Sequence, residues 1–358
     1  MISREFWRGR RVFLTGHTGF KGAWACALLH HLGAKVTGFA LDRLAEPSLF
    51  DMACLAEVVA DERGDIRNAV AMSHAMRAAA PDVVIHMAAQ SLVRASYASP
   101  VETYATNVMG SVHVLEAARD AGARVVIMVA TDKCYQNSGA GKAFAESDPL
   151  GGHDPYSSSK AAAEIAVASW RDSFLREAGV VVCSVRAGNV IGGGDYAPDR
   201  IIPDAVRAFM AGAPLDLRNP RAVRPWQHVL EPLTGYLALV ECAFYDASFA
   251  GAWNFGPGPE NERDVEALVR AACDIWGEGA AWRADGRQHP HEAPVLRLDA
   301  RKVRQSLGWS CLLGFRETMD WTIGFYRECA QGCDPASLMR AQISAYLARM
   351  EAAACVSS

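Results

Sequence analysis

Arg11-Val12-Phe13-Leu14-Thr15-Gly16-His17-Thr18-Gly19-Phe20-Lys21-Gly22 reads as a buried strand, a glycine loop and the head of an apolar helix that runs to Leu32. Glycines at this spacing let the backbone approach a pyrophosphate, and the helix N-terminus offers free N–H groups at the positive end of a dipole. Gly16, Thr18, Gly19, Phe20 and Gly22 are therefore candidate cofactor-binding positions. A second strand, Lys35-Val36-Thr37-Gly38-Phe39-Ala40, leads to Asp42. Asp42 follows Gly22 by the roughly 20 residues that bring a carboxylate to the ribose hydroxyls of a dinucleotide. An acid there repels a 2′-phosphate, so NAD is expected rather than NADP, although Arg43 beside it pulls the other way.

Short apolar strands then alternate with helices: Glu57–Ala60, Asp82–His86, Val125–Ala130 and Val180–Arg186. That alternation predicts an α/β fold with a doubly wound parallel sheet, the Rossmann arrangement. Ligands in such a sheet lie outside the carboxyl ends of the strands. The glycine loop, Asp42, Ala88-Ala89-Gln90, Thr131-Asp132-Lys133 and Asn189 all fall at such ends. After residue 186 the composition changes. We divide the chain into a cofactor domain, 1–186 with returning segments around 229–256, and a smaller C-terminal α+β substrate domain, 187–358, interleaved with it. Asn189–Asp195 reads as a flexible loop, Arg200 as the start of a helix, and Arg224–Pro232 as a loop. The arginines there suit a diphosphate, and His228 or Trp226 suits a stacked base. Residues 352–358 are expected to fray.

Tyr156 and Lys160 lie one helical turn apart at the head of an alanine-rich segment. A phenol titrates near ~10 and a lysine near ~10.4, and a cation beside the phenol favours the phenolate. Alone, Tyr-x-x-x-Lys is as well explained by a surface pair. With the glycine loop upstream and Thr131 at a strand end, it resembles the extended short-chain dehydrogenase/reductase superfamily.

Thr131-Asp132-Lys133-Cys134-Tyr135-Gln136-Asn137, with lysine in the third position, resembles the CDP-glucose 4,6-dehydratases within that superfamily. Gly16–Gly22, Gly151–Lys160, Arg186–Asp195 and Arg224–Pro232 resemble the same family, which makes the likeness nearly full-length. The segment 138–144 departs from it in lacking a tryptophan, and His153 stands where a bulkier residue is usual. The resemblance implies that Asp65 and Ile66 border the adenine, although a turn before the helix starting at Asn68 explains them equally. It implies that Asn107 braces the site and that Asn189, Arg200, Arg218, Arg224 and His228 bind a nucleotide-sugar, CDP-glucose. It further implies that Tyr156 takes the proton of the sugar 4-hydroxyl and Thr131 bonds the same oxygen. Lys160 lowers the tyrosine pKa and binds the nicotinamide ribose. Asp132 is the acid for the leaving water. Lys133 is the base at carbon 5, or else stabilises the enolate. NAD is regenerated, and the product would enter deoxysugar synthesis for a bacterial surface glycan.

The net charge of -4 gives no sign of a nucleic-acid or membrane-surface partner. No apolar run nears the ~18 residues of a membrane span, and the N-terminus has no signal-peptide core, so a cytoplasmic protein is expected. The ten cysteines are scattered, mostly in apolar segments, and Cys329 with Cys333 lacks the second pair or histidine of a metal site. No metal is expected. A homo-oligomer, dimer or tetramer, is expected through segments 107–121 and 157–178. Rival readings are a 4,6-dehydratase for another nucleotide, an NAD-dependent 4-epimerase, which the Asp132-Lys133 pair opposes, and a non-catalytic NAD sensor, which keeping both Tyr156 and Lys160 opposes.

Overall fold

A computed structural model describes residues 2–42, 46–139, 141–285 and 295–357. Seven strands form its main sheet: β1 Arg11–Thr15, β2 Lys35–Ala40, β3 Ala60–Arg63, β4 Val83–His86, β5 Val125–Val129, β6 Val181–Ala187 and β7 Gly251–Phe255. Their order is β7-β6-β5-β4-β1-β2-β3, and every pairing is parallel. The longer helices are α1 Phe20–His31, α2 Ala69–Ala79, α3 Gly110–Asp120, α4 Pro155–Trp170, α5 Ile201–Met210, α6 Leu230–Tyr245, α7 Val265–Trp276, α8 Phe315–Ala330 and α9 Pro335–Ser357. The doubly wound sheet expected from the sequence is present.

Alternation along each strand splits the apolar side chains between two cores. Val12, Leu14, Val83, Ile85, Val125, Ile127, Cys183 and Val185 face one side with residues of α1 and α6. Phe13, Val84, Val126, Met128 and Val182 face the other with residues of α2 and α3. A strand covered on both faces reads as a continuous apolar run, which is why the central strands stood out. A third cluster, with Ile202, Phe209, Trp226, Leu268, Met319 and Ile323, lies among the elements after β6.

The strand order reverses between β1 and β4, which opens the crevice where such sheets bind ligands. Gly16 follows β1 with φ +75°, and a Cβ there would meet the Ala88 backbone nitrogen at 2.7 Å. A Cβ on Gly22 would lie 2.1 Å from the Gly16 carbonyl oxygen. Both glycines are demanded by backbone packed on backbone, and the loop is fixed in shape.

Four expectations need correction. The third strand is Ala60–Arg63, not 57–60; Leu55–Glu57 forms a 3-10 turn that buries Leu55. Residues 189–195 are not a flexible loop, because Asn189–Ile191 pairs with Trp226–His228. A Cβ on Gly193 would sit 2.0 Å from the Phe325 ring, and the Trp24 indole donates to the Gly193 carbonyl at 2.9 Å. Arg224–Pro232 is likewise no loop; it is strand Val223–His228 running into α6. The C-terminus is helical through Ser357 rather than frayed, because α9 packs into the core through Met339, Ile343 and Tyr346.

Helix α9 is tied to the fold by a buried carboxylate. Glu231 accepts from the backbone N–H of Leu312 at 3.0 Å and Leu313 at 2.8 Å, and from the Tyr346 hydroxyl. Burial outweighs these donors and pushes its carboxyl up to about 7 from about 4.5. A folded-state pKa raised in this way adds stability that is whole below about pH 4.5 and is lost as pH rises through about 7. Glu231→Gln keeps an acceptor for the two N–H groups and cannot ionise. Its denaturation midpoint is expected to fall less than that of the parent between acid and neutral pH, as urea titrations at each pH would measure. Parallel pH profiles for the two proteins would contradict this.

Candidate active site

Helix α4 opens with Pro155 in its first turn and Asp154 as cap, whose carboxylate accepts from the Ser157 N–H at 2.9 Å and the Ser157 hydroxyl at 2.6 Å. Tyr156 and Lys160 follow on one face, both buried. Asn107 holds this helix to the end of β4. Its amide accepts from the Gln90 N–H at 2.9 Å and donates to the Gln90 carbonyl at 3.0 Å and the Ser159 hydroxyl at 2.9 Å. It sits in a π-helical turn, Ala105–Met109, that aims its side chain inward.

β5 delivers Thr131-Asp132-Lys133. The Thr131 hydroxyl accepts from the Lys133 N–H at 3.3 Å and donates to Asp132 Oδ1 at 3.1 Å, which folds Asp132–Cys134 into a 3-10 turn. Asp132 is 2 % exposed, and its Oδ2 has no hydrogen-bond partner among the described residues. Burial raises its pKa above the ordinary carboxylate value, against opposing pulls from Lys133, Thr131 and Arg224. A buried carboxyl shifted in that direction, with one oxygen left without a partner, is suited to deliver a proton.

Burial also pushes the Tyr156 phenol up to about 12, eased by a hydrogen bond with Thr131 and by Arg200, and opposed by Asp132. Lys160, expected in the easing role, instead donates its ammonium to the Val129 carbonyl at 3.2 Å, and its own pKa falls to about 8 on burial. The cation nearest in effect to the phenol is thus a candidate substrate arginine. A further residue missed in the sequence is Lys21, in the first turn of α1. Burial lowers it to about 8, and Arg200 and Lys160 lower it further, while Asp132 raises it. Lys21, Lys160 and Arg200 therefore bring positive charge together at this end of the sheet, which suits an anionic ligand.

The residues at the crevice fit a dinucleotide. Gly19 caps α1 with no side-chain bond, and a Cβ there would meet only the Gly16 carbonyl oxygen, at 3.4 Å. Thr18 donates to the Leu41 carbonyl at 3.2 Å, and Phe20 is half-buried behind it. The Asp42 side chain is 92 % exposed just beyond β2, 3.8 Å from Arg63. Arg43 lies outside the described residues. Ala88 and Ala89 line the end of β4 beside Gly16, half-buried. Asp65 and Ile66 also serve the turn. The Asp65 carboxylate accepts from the Arg67 N–H and guanidinium, both at 2.8 Å, and Ile66 is buried against Gly110. His17, unremarked in the sequence, is fully buried and bonds Asp61 at 2.7 Å.

On the substrate side, Arg200 donates to Asp195 at 2.9 Å and to the Ser91 hydroxyl at 2.9 Å. Arg218 pairs with Asp199 at 2.9 Å, and Arg94 reaches the same carboxylate at 3.5 Å. Arg224 is buried close enough to act on Asp132. Asn189 is half-buried at the head of its strand. His228 does not join them. It is completely buried, edge-on to Trp24 at 5.8 Å and to Trp321 at 5.5 Å, and burial lowers its pKa to about 3. Trp226 is also interior, donating to the Arg263 carbonyl at 3.0 Å. Both rings are spent on interior contacts, Trp226 in the third cluster and His228 between two tryptophans. Among the described residues no cluster of histidine, cysteine and carboxylate could hold a metal.

The NAD dependent epimerase/dehydratase family matches residues 12–246. A CDP-glucose 4,6-dehydratase of Salmonella typhimurium is 44 % identical over 97 % of this chain and 99 % of its own. A dTDP-glucose 4,6-dehydratase of Xanthomonas campestris is 26 % identical over 87 % of this chain and 92 % of its own. A crystal structure of a dTDP-glucose 4,6-dehydratase from Streptomyces venezuelae with NAD bound superposes with TM-score 0.77 at 25 % identity, covering 91 % of this chain and 99 % of that one. The chain belongs to the NAD dependent epimerase/dehydratase family, and its full-length likeness is to the CDP-glucose 4,6-dehydratases.

Proposed function

We propose that the protein is a hydro-lyase converting CDP-glucose to CDP-4-keto-6-deoxyglucose and water, with NAD regenerated in each turnover. The observation that carries this reading is the buried Asp132, its pKa raised and one oxygen unpartnered, one residue from Lys133 and beside Tyr156. An epimerase has no use for such a pair. The 44 % relative supports the nucleotide.

NAD would be held by Gly16, Thr18, Gly19, Phe20 and Gly22, by Asp42 at the adenosine ribose and by Lys160 at the nicotinamide ribose, over a floor of Ala88, Ala89 and Gln90. Bound there, it would supply a hydride acceptor for carbon 4 of the sugar and a hydride donor for carbon 6. The chain moves the protons. The Tyr156 phenolate oxygen accepts the proton of the 4-hydroxyl, and the Thr131 hydroxyl bonds the same oxygen. Once carbon 4 is a ketone, the hydrogen on carbon 5 is acidic, and Lys133 Nζ takes it. Asp132 gives its proton to the departing 6-hydroxyl. Arg94, Arg200, Arg218 and Arg224 bind the diphosphate, with Asn189 beside them.

Incubation with CDP-glucose and a trace of NAD should give a product lighter by one water, read by mass spectrometry. An unchanged mass with CDP-glucose and water loss with dTDP- or UDP-glucose would overturn the nucleotide; no water loss from any would overturn the lyase.

The chain is further read as a cytoplasmic homodimer. No disulfide joins the cysteines among the described residues, and no described helix is long and apolar enough to cross a membrane. Val101, Ile165, Tyr97, Met109 and Phe174 leave large apolar groups exposed, Val101 by 83 % and Ile165 by 61 %. They lie on residues 93–109 and 155–175, and the Tyr104–Ser158 bond at 2.6 Å joins the two segments. The exposed face thus starts earlier than the expected 107–121, because α3 exposes no large apolar side chain. Val101→Arg with Ile165→Arg should shift sedimentation from dimer to monomer. Unchanged sedimentation would refute this face.

A further inference from the structure

A buried network behind the Asp132 turn belongs to no part of the chemistry above. The Tyr135 hydroxyl donates to Asn254 Oδ1 on β7 at 2.7 Å and accepts from the Arg186 guanidinium on β6 at 2.7 Å. The direction of the first bond is set by the Asn254 amide, whose Nδ2 is committed to the Phe144 carbonyl at 2.8 Å. Arg186 in turn grips Glu164 with two bonds, at 2.8 and 2.9 Å, and Ser184 donates to the same carboxylate at 2.7 Å. Glu164 stands one helical turn beyond Lys160 on α4. The Tyr135 ring stacks on Phe144 with centroids 5.0 Å apart, and the Arg186 guanidinium lies 4.9 Å from the Tyr135 centroid.

The network therefore links four elements, the Asp132 turn, β6 and β7 directly at the phenol and α4 through Arg186, and two of them bear the reacting groups. Tyr135 closes the turn holding Asp132 and Lys133. Glu164 lies on the helix holding Tyr156 and Lys160. An ion pair this deeply buried contributes little net stability, and its direction and bidentate fit restrict geometry more than they add energy. The elimination groups must address carbons 5 and 6 while Tyr156 addresses the oxygen on carbon 4, so the spacing of turn and helix matters to catalysis.

Resting on the dehydratase reading, we propose that Tyr135 is a positioning residue, which through Arg186 and Glu164 sets the Asp132–Lys133 turn against the Tyr156–Lys160 helix and so couples elimination to oxidation. Tyr135→Phe keeps the stack on Phe144 and removes both bonds of the hydroxyl.

The test compares the two half-reactions with CDP-glucose as substrate. In Tyr135→Phe, oxidation at carbon 4 should proceed at near the parent rate in a single turnover. Exchange of the carbon-5 hydrogen with deuterated solvent and loss of water should slow by up to about 10²-fold, the scale of an ångström misplacement. Oxidised sugar that has kept its 6-hydroxyl should then build up. Arg186→Lys, which keeps a charge beside Glu164 and gives up the forked reach to Tyr135, should show the same split. It also serves if Tyr135→Phe melts without cooperativity. Equal slowing of both halves, or slowing of neither, in a variant that melts cooperatively overturns the proposal. Failure of the parent itself to dehydrate CDP-glucose would instead indict the dehydratase reading.

Discussion

Asp132→Asn is expected to oxidise CDP-glucose at carbon 4 and then stall, with water loss slowed by about 10²–10⁴-fold, the usual contribution of a positioned acid or base. The substitution is nearly isosteric. Its amide oxygen still accepts from the Thr131 hydroxyl, the bond that shapes the turn. What it loses is the acid oxygen Oδ2, left without a partner in a buried site and replaced by an amide nitrogen. A carboxylate that must be protonated at neutral pH needs burial to outweigh nearby cations, and that is the direction found, despite Lys133 alongside. The quenched sugar nucleotide should be short of a hydrogen pair and still carry its 6-hydroxyl, and the near-ultraviolet absorbance of reduced nicotinamide should persist. Lys133→Ala should stall at the same stage, with the added loss of carbon-5 exchange into deuterated solvent. If exchange survives in Lys133→Ala while water loss stops, Lys133 stabilises the enolate and some other group is the base. Full turnover by either variant would remove that residue from the mechanism.

The parts of the molecule legible in the sequence are those whose physics is local. Val125–Val129 sits mid-sheet with both faces covered, so it must be apolar throughout, and an apolar run is visible in one dimension. Gly22 is dictated by Gly16 and His17 a few residues away, whereas Gly16, pressed by the distant Ala88 backbone, is marked in the sequence only by its place just after a strand. The edge strand Ala60–Arg63 is different. It pairs on one side only and is largely exposed, so its strand character comes from Thr37–Ala40 and not from its own composition, and the apolar residues just before it draw the eye to the wrong place. Val223–His228 misleads in the opposite sense. Arg224, Gln227 and His228 read as surface, yet all are interior, paid for by partners far away in sequence such as Phe255 and the rings of Trp24 and Trp321. The neighbours of Tyr156 are also non-local. The lysine four residues on is the obvious cation, but Arg200, brought in from α5's cap, acts on the phenol as well.

That placement gives Tyr156 the second large effect. Tyr156→Phe should lose both half-reactions together, by about 10²–10⁴-fold or more, because nothing else accepts the 4-hydroxyl proton and no ketone then forms to acidify carbon 5. The loss of both distinguishes it from Asp132→Asn, which loses only the second. The pH dependence follows from the same environment. The phenol must be ionised to act, and burial holds it up at about 12, so at neutral pH only a small fraction is in the active form. Below that pKa the phenolate fraction grows tenfold for each pH unit, and the rate of the oxidation half-reaction should climb with pH between about 6 and 7.5, before Lys21 and Lys160 lose charge near about 8. Arg200→Met removes the easing cation, which moves the phenol further up and should lower the whole rising limb while leaving its slope unchanged. It should also weaken substrate binding, so the limb must be read on kcat at saturating CDP-glucose. A flat profile in the parent, together with an active Tyr156→Phe, would mean that another group takes the proton; a flat profile with an inactive Tyr156→Phe would mean that the phenol is ionised well below about 12 once the site is filled.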